Sequence, residues 1–261
     1  MGRRLGQHFL HDPAILDRIV DALDPSFNDQ VVEIGPGKGT LTGRLAARVG
    51  SVVAIERDKW LAEKLQATAP ENCRIVLGDA LEIDWHAHLR HPVEEASYKV
   101  VGNIPYSITT PLIDKALAEP LPSVITFLVQ KEVGERLEAA PGSKTYGALS
   151  VGVQSVVSVE RLLAVRPGSF RPPPKVDSVV VRLKPLADPL TVSGERGPFR
   201  RFVTGLFGQR RKQLARALRT VTGKATADIS RVLDELGLDR ETRAEVLTPE
   251  EFVDLFRLAS R

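Results

Sequence analysis

Apolar residues occur along this chain in two different patterns, and these patterns predict its helices and strands. Apolar residues at helical spacing follow Asp12-Pro13 and would share one helix face: Ile15, Leu16, Ile19, Val20 and Leu23. Short apolar runs predict strands at residues 30–34, 51–55, 73–77, 98–101, 123–129, 160–165 and 178–183. Strands that alternate with helices are typical of an α/β fold with a mainly parallel sheet. We expect the last two strands to form a hairpin with an antiparallel edge.

The pattern becomes helical beyond the proline-containing stretch at residues 184–189, which we interpret as a linker. Residues 202–218, 229–236 and 249–258 predict helices, and so do residues 146–157 within the first part of the chain. Thr248-Pro249 is a typical helix start, with Thr248 as the cap. The sequence therefore predicts two domains, an α/β domain at residues 1–186 and a small all-helical domain at residues 187–261.

A glycine turn, Gly35-Pro36-Gly37-Lys38-Gly39, joins the strand at 30–34 to a helix at 40–49. Glycines there allow the backbone to approach a nucleotide-like ligand closely. The Gly-x-Gly-x-Gly spacing differs from that of dinucleotide-binding enzymes, and Glu33 stands two residues ahead of it. A carboxylate is unfavourable for a pyrophosphate but suits a cofactor with an amino acid and a sulfonium cation. The turn therefore favours S-adenosylmethionine.

Two acidic residues follow later strands of the predicted sheet. Glu56 lies 21 residues after Gly35, where a carboxylate can accept both ribose hydroxyls. Asp79 follows the strand at 73–77 and could accept the adenine amino group of the cofactor. The alternatives are a surface carboxylate for Glu56 and an Asx turn or helix cap for Asp79. Because the carboxyl ends of parallel strands share an edge, we expect both carboxylates beside the glycine turn and Asn103.

The run Asn103-Ile104-Pro105-Tyr106 follows the strand at 98–101. The amino group of adenine is a poor nucleophile because its lone pair is delocalised into the ring. The Asn103 side-chain oxygen and the Pro105 carbonyl could each accept one N–H and direct the lone pair outward. Tyr106 offers a flat face for the ring, worth ~1–3 kcal/mol. The alternative is an ordinary strand-to-loop turn.

A stiff proline-rich loop at residues 166–175 carries one aromatic residue and three cations. Phe170 could form the second face of a sandwich around a flipped base, with Arg171 and Lys175 on nearby phosphates. The alternative is a rigid connector with Phe170 packed in the core.

Positive charge is concentrated late in the chain. Residues 191–261 hold 14 Lys and Arg against 10 Asp and Glu, a net charge of +4, which leaves −1 for residues 1–190. Residues 198–227 contain eight basic residues and no acidic one. This block, with Arg210, Arg211 and Lys212 at its centre, is a candidate nucleic-acid surface, and a solvated helix face is the alternative.

The single cysteine, Cys73, excludes an internal disulfide and a cysteine-based metal site. The cluster of His86, His88 and His91 lacks metal-ligand spacing, so we expect no metal. No apolar stretch is long enough to span a membrane, and no signal-peptide core follows the run Met1-Gly2-Arg3-Arg4. We expect a cytoplasmic protein, which we interpret as a monomer.

These motifs together resemble the ribosomal RNA small subunit adenine dimethyltransferases (KsgA family), over nearly the whole chain. The segments that carry the resemblance are residues 6–10, 32–37, 56, 78–80, 103–106, 170–178 and 207–212. The resemblance implies a Rossmann-like class I methyltransferase sheet followed by a helical domain that binds RNA or the ribosome. It also implies the transfer of four methyl groups from S-adenosylmethionine to N6 of two adjacent adenosines. These lie in the 3′-terminal hairpin loop of 16S rRNA, in an immature small subunit during ribosome biogenesis.

By the same resemblance, the amino-terminal residues His8 and Leu10 would touch the cofactor, and Gly35 would support its methionine part. Glu56 would hold the ribose, Asp79 would bind the adenine, and Asn103 would lie between donor and acceptor. Two further residues, Gly37 and Ala80, belong to the same expected cofactor site. The family usually has Asn where this chain has His8, although histidine can also donate and accept hydrogen bonds.

Two other functions remain open. Methyltransferases of large-subunit (23S) rRNA share this catalytic core, although the run at residues 170–178 and the long helical tail favour the small-subunit branch. A non-catalytic RNA-binding or transcription factor of the same fold is the other alternative. The acidic residues Glu56 and Asp79, together with Asn103, argue against it.

Overall fold

The computed structural model describes residues 7–93 and 97–261. The run Met1-Gly2-Arg3-Arg4, and Leu5-Gly6 of the motif before the first helix, lie outside the described residues. The chain divides into two compact units. The first comprises Met1–Gly134 and Val159–Pro185, and the second comprises Glu135–Ser158 and Leu186–Arg261.

The strands are β1 (Phe9–Leu10), β2 (Gln30–Ile34), β3 (Ser51–Glu56), β4 (Cys73–Leu77), β5 (Tyr98–Asn103), β6 (Val124–Gln130), β7 (Val157–Val165), β8 (Phe170–Arg171) and β9 (Ser178–Pro185). One sheet has the order β4-β3-β2-β5-β6-β9-β7. Its strands from β4 to β6 run parallel, and β9 lies antiparallel to β6. The predicted mainly parallel sheet and its antiparallel strand are therefore present. A second, unpredicted sheet pairs β1 with β8.

The helices of the first unit are α1 (Pro13–Ala22), α2 (Thr40–Ala46), α3 (Lys59–Gln66) and α4 (Thr109–Ala116), and α5 (Lys131–Leu137) continues into the second. Helix α1 begins where the Asp12 side chain accepts the backbone N–H groups of Ala14 and Ile15. Its apolar face, with Leu16 and Ile19, is buried in a core with residues of β2, β3 and β5. Each such buried side chain contributes ~1.5–3 kcal/mol to folding.

Strand β2 lies at the centre of the parallel region, between β3 and β5. The chain moves outward on one side of β2 through β3 and β4, and returns on the other side with β5. This reversal leaves a crevice at the carboxyl ends of β2 and β5, where open α/β sheets bind ligands. The glycine turn follows β2, and Asn103 is the last residue of β5.

The second unit contains α6 (Ala148–Gln154), α7 (Ser193–Gly208), α8 (Leu214–Thr222), α9 (Thr226–Glu235) and α10 (Pro249–Ala259). Helix α10 begins as predicted, because Thr248 and Glu251 form a reciprocal capping box with Pro249 at the first position. Helix α6 is shorter than the predicted helix at 146–157, because Val157 already belongs to strand β7.

The division of the chain differs from the predicted boundary between residues 186 and 187 in one respect. Residues 135–158, expected in the first domain, belong to the second unit. The ring of Tyr146 is fully buried, and its hydroxyl donates to the Leu247 carbonyl at 2.8 Å. Tyr146 and Val151 share a core with Phe252 of α10. This long-range packing, which local periodicity does not report, places the segment in the second unit.

Candidate active site

A cavity of about 410 Å³ lies at the carboxyl ends of β2, β3, β4 and β5. Seven of the eight residues predicted to bind the cofactor line it: His8, Gly35, Gly37, Glu56, Asp79, Ala80 and Asn103. Two more predicted residues, Pro105 and Tyr106, line it as well. The structure thus brings together side chains from segments that span about a hundred residues of sequence. This gathering is what the strand-end argument predicted.

The glycine turn at residues 35–39 adopts a backbone that favours glycine. The φ angles of Gly35, Gly37 and Gly39 are +67°, +58° and +78°, all in the left-handed region. A Cβ atom on Gly37 would lie 2.9 Å from Cε1 of Phe9. Phe9 also lines the cavity, and its ring can lie against the turn because Gly37 has no side chain.

The carboxylate of Glu56 is buried, with 3% of the residue exposed. Its Oε2 accepts the backbone N–H of Gly37 at 3.0 Å, and its Oε1 accepts that of Asp58 at 2.8 Å. These two bonds hold the carboxylate against the glycine turn at the cavity wall. Each oxygen retains an acceptor site, so the group can still take two hydroxyl donors.

Both alternatives for Asp79 are present in the structure. Its Oδ1 accepts the backbone N–H of Leu81 at 2.9 Å, which is an Asx turn, and the residue also lines the cavity. Its Oδ2 lies 3.3 Å from the guanidinium of Arg57. Sequence reasoning missed Arg57 as a lining residue, although its position directly after Glu56 at a strand end is the signal that could have found it.

The amide of Asn103 is oriented by the amino-terminal arm, residues 7–11. Its Nδ2 donates to the backbone carbonyl of His8 at 2.8 Å. In the described part of the chain, no protein donor reaches its Oδ1. The side-chain oxygen is therefore the acceptor that Asn103 can offer to a ligand in the cavity.

The carbonyl of Pro105, predicted as the second acceptor, is already occupied. It accepts the backbone N–H of Ile108 at 3.0 Å and the Thr109 hydroxyl at 3.4 Å, because the chain turns into a short 3₁₀ helix at Tyr106. Among residues 7–93 and 97–261, no protein donor reaches the carbonyl of Ile104, which also lines the cavity. The Ile104 carbonyl, rather than that of Pro105, is therefore the one left available to a ligand.

Tyr106 lines the cavity with its ring anchored at the far end. Its hydroxyl and the Ser178 hydroxyl are 2.7 Å apart. Burial raises the pKa of Tyr106, and the bond with Ser178 opposes that shift. The His8 ring stacks against Tyr106 at 6.0 Å between centroids, and its Nδ1 donates to the Pro172 carbonyl at 2.8 Å.

The stacking role expected of Phe170 is not supported by its position. Phe170 is 2% exposed and packs in the core with Leu16 and Ile19. Strand β8 pairs with β1, Leu10 opposite Phe170, and this pairing directs both side chains into the core. Leu10, expected to touch the cofactor, lines a smaller cavity of about 30 Å³ instead. Two cations of the loop, Arg171 and Lys175, are exposed as expected of phosphate contacts.

The predicted basic surface of the second unit has an unexpected centre. Arg210, Arg211 and Lys212 are all exposed, and the Arg210 guanidinium forms an ion pair with Glu245. An open groove of about 450 Å³, here called the basic groove, is lined by Lys212, Arg216, Arg219, Thr220, Gly223 and Lys224. The cations of α8 were within the predicted basic block but were not singled out. Arg216 and Arg219 are three residues apart on one helix, and this spacing was the signal.

Among the described residues, no three His, Cys, Asp or Glu side chains are grouped as a metal ion would require. Within the same residues, no helix combines the length and the apolar character needed to cross a membrane.

Comparison with known proteins relates the whole chain to one family. A profile of ribosomal RNA adenine dimethylase matches residues 2–260. The ribosomal RNA small subunit methyltransferase A of Syntrophotalea carbinolica is 43% identical over 257 residues, covering 98% of this chain and 96% of that protein.

Two crystal structures share the fold. A dimethyladenosine transferase from Plasmodium falciparum superposes with a TM-score of 0.80 at 28% identity, covering 95% of this chain and 96% of that one. The 23S rRNA methyltransferase ErmE superposes with a TM-score of 0.71 at 26% identity, covering 97% of this chain and 100% of that one. These likenesses confirm the predicted class I methyltransferase fold. This chain is a methyltransferase that belongs to the ribosomal RNA adenine dimethylase family.

Proposed function

We propose that this protein uses S-adenosylmethionine to dimethylate N6 of two adjacent adenosines in the 3′-terminal hairpin loop of 16S rRNA. The reaction takes place on the small ribosomal subunit, in the cytoplasm, as a step of ribosome biogenesis. The observation that carries the proposal is the orientation of Asn103, whose amide nitrogen is held by His8 while its oxygen is left to the cavity.

The residues of the cavity fit S-adenosylmethionine, which supplies a methyl group on a sulfonium cation. The glycine turn, where a Cβ on Gly37 would meet Phe9, leaves room for the backbone to approach the methionine part. Glu56 has acceptor sites left for ribose hydroxyls. Asp79 lies at the end of the next strand for the adenine, and Ala80 lies beside it.

The chain activates the target nitrogen by position alone. Oδ1 of Asn103 and the carbonyl of Ile104 would each accept one N–H of the target adenine, which directs the N6 lone pair into the cavity. Tyr106 would hold the face of the base. After methyl transfer the extra proton leaves N6 for water. The second transfer starts from an amine with one N–H, so one of the two hydrogen bonds must be dispensable.

Each unit contributes candidate RNA contacts. On the first unit, Arg171 and Lys175 lie in the exposed loop after β8. On the second unit, Arg211 and the basic groove present cations to solvent, whereas the Arg210 guanidinium is paired with Glu245. Phosphate contacts of this kind position RNA without reading its sequence. We therefore assign most of the second unit's affinity for RNA to the basic groove.

A second candidate function is methylation of 23S rRNA. It is favoured by the superposition on ErmE over 97% of this chain. It requires the same chemistry at Asn103 and differs only in the substrate. A non-catalytic RNA-binding factor is the third candidate and would bind the cofactor without transferring the methyl group.

The test is transfer from radiolabelled S-adenosylmethionine to unmethylated small subunits, large subunits and duplex DNA in parallel. Mass spectrometry then identifies the labelled nucleoside, and a parallel series contains a chelator because we infer no metal requirement. N6,N6-dimethyladenosine on the small subunit alone supports the proposal. Label on large-subunit RNA supports the 23S alternative. Bound cofactor with no transfer to any substrate supports the non-catalytic factor.

A further inference from the structure

Glu33, the carboxyl group that favoured a cationic cofactor in the sequence, is buried and has no assigned part in the proposed methyl transfer. It is the second-last residue of β2, paired in register with Ala54 and Val101 on the neighbouring strands. Only 1% of the residue is exposed. Its Oε2 has no hydrogen-bond partner within the described residues. A buried carboxylate with an unpartnered oxygen is unfavourable unless it is protonated or meets a cation.

A small cavity links this carboxyl group to the candidate site. The cavity of about 30 Å³ is lined by Glu33, Gly35, Lys38 and Asn103 among others. A space of this size has room for a water molecule. Because Gly35 and Asn103 also line the 410 Å³ cavity, the two spaces share a wall. The charge on Glu33 therefore acts across one layer of residues on whatever occupies the larger cavity.

The surroundings of Glu33 favour its neutral form. Burial raises the pKa of the Glu33 carboxyl to about 7, the Thr42 hydroxyl opposes this shift without completing a hydrogen bond, and Glu56 adds to it. Toward the small cavity, α1 presents Leu16 and Ile19, and α2 presents Leu41 and the uncharged Thr40.

The other titratable groups near Glu33 lie on the glycine turn and the sheet. Lys38 lines the small cavity. Cys73 on β4 has its pKa raised first by burial and then by the charge of Glu33. On β5, Lys99 forms an ion pair with Asp29 at 2.8 Å, so its charge is balanced by that carboxylate. Strand β1 contributes Phe9 and Leu10, which do not titrate.

We propose that Glu33 is protonated in the cofactor-free protein and releases this proton to solvent when a cation occupies the larger cavity. The site would then prefer the sulfonium methyl donor to its uncharged thioether product, because an ionised carboxylate attracts only the former. After transfer the sulfonium charge is gone, Glu33 recovers a proton from solvent, and the product dissociates more readily. This inference rests on the cofactor assigned under the proposed function.

The test is isothermal titration calorimetry of the full chain between about pH 5.5 and about pH 8.5, a window centred on the Glu33 pKa of about 7. The probes are S-adenosylmethionine, S-adenosylhomocysteine and sinefungin, which carries an amine at the sulfonium position. Both ligands carry the same α-amino group, so its effect on affinity cancels in the ratio of the product and donor dissociation constants. We expect this ratio to rise about tenfold across the window, the change that one pKa unit of coupling produces. Sinefungin, as a cation, should follow the donor.

Two variants separate Glu33 from other groups that titrate in the cavity. Glu33→Gln keeps the size of the side chain and should give a ratio that does not change with pH. Thr42→Val keeps Glu33 but removes the hydroxyl that opposes its shift, so the midpoint of the change should move to higher pH. A Glu33→Gln protein whose ratio still rises as in the unmodified protein would overturn the inference.

A measurement on the unmodified protein keeps the test independent of folding in the variants. The carboxyl ¹³C resonance of Glu33 should titrate near pH 7 without ligand, and at lower pH once S-adenosylmethionine is bound. A midpoint near the ordinary value of 4.5 without ligand would refute the inference. Failure of S-adenosylmethionine to bind at any pH would refute the proposed function as well. Binding with a constant ratio would refute the inference alone.

Discussion

The side-chain nitrogen of Asn103 lies 2.8 Å from the backbone carbonyl oxygen of His8, 95 residues earlier in the chain. This hydrogen bond joins the end of β5 to the amino-terminal arm. It also decides which end of the amide a ligand can meet, because the nitrogen is used and the oxygen is not. One contact therefore positions both the Asn103 amide and the amino-terminal arm, which line the cavity.

We predict that Asn103→Ala abolishes methyl transfer, lowering the rate at least ~10²-fold, as does the loss of a polar group that stabilises a transition state. Cofactor affinity should stay within about tenfold, because most of the other predicted cofactor residues are untouched. Single-turnover transfer and calorimetric binding measure the two effects separately. An unchanged transfer rate would remove Asn103 from the mechanism.

Asn72→Ala is the matched control. The Asn72 amide donates to the carbonyls of Ala46 and Val49 at 3.0 and 3.1 Å, and the residue does not line the cavity. Its loss should cost ~1–3 kcal/mol of unfolding free energy, since two acceptors lose their partner. The transfer rate of the folded protein should not change.

Gly37→Ala should weaken cofactor binding by about tenfold or more and lower the thermal stability. The left-handed backbone at φ +58° costs a residue with Cβ ~1–2 kcal/mol, and the new Cβ would meet the Phe9 ring at 2.9 Å. The control is Gly43→Ala in α2, where no atom lies within 4 Å of the added Cβ. That change should stabilise the protein by ~0.5–1 kcal/mol and leave binding intact. Equal effects of the two substitutions would contradict the assignment.

The cofactor-free protein should lose stability as the pH rises from about 4.5 to about 7, the ordinary and folded pKa values of Glu33. In this window the folded state holds a proton that the unfolded state has released, so raising the pH favours unfolding. The loss is at most ~3 kcal/mol and ends above pH 7. Urea unfolding of the Glu33→Gln variant should show a correspondingly smaller loss. Parallel pH curves for the two proteins would argue against a shifted Glu33.

Replacing Arg216, Arg219 and Lys224 by Ala should weaken binding to small subunits and flatten its dependence on salt. Each lost phosphate contact changes the slope of log K against log salt by ~0.7–0.9. Arg210→Ala should have a smaller effect, because its guanidinium is already paired with Glu245. Arg240→Ala, which removes a cation bound to Asp234 in the same unit, is the control. Unchanged affinity of the triple variant would show that the basic groove does not contact RNA.

Much of the first unit could be predicted because its strands are visible as short patterns in the local sequence. Buried parallel strands produce short apolar runs, and their carboxyl ends share an edge. The glycine turn, Glu56, Asp79 and Asn103 could therefore be placed together from spacing alone. Arg57 could have been placed in the cavity in the same way, because it directly follows Glu56 at the end of β3.

The errors concern contacts between distant residues. An aromatic residue in a proline-rich loop can either stack on a base or pack in the core, and Phe170 was predicted to stack. The pairing of Leu10 with Phe170 places the Phe170 ring in the core, and the local sequence does not reveal this pairing. The Pro105 carbonyl was assigned from its rigidity, but the turn at Ile108 uses it. Residues 135–158 were assigned by their place in the chain, whereas Tyr146 packs against residues near its end.

The bond between Tyr146 and Leu247 closes a loop of 101 residues, and this has a consequence for synthesis of the protein. At ~5–20 residues per second, translation needs roughly 5–20 s to advance from one partner to the other. During that time the apolar residues of helix α6 have no completed core to enter. The nascent chain therefore exposes these apolar residues of α6 to solvent until the rest of the second unit has been synthesised.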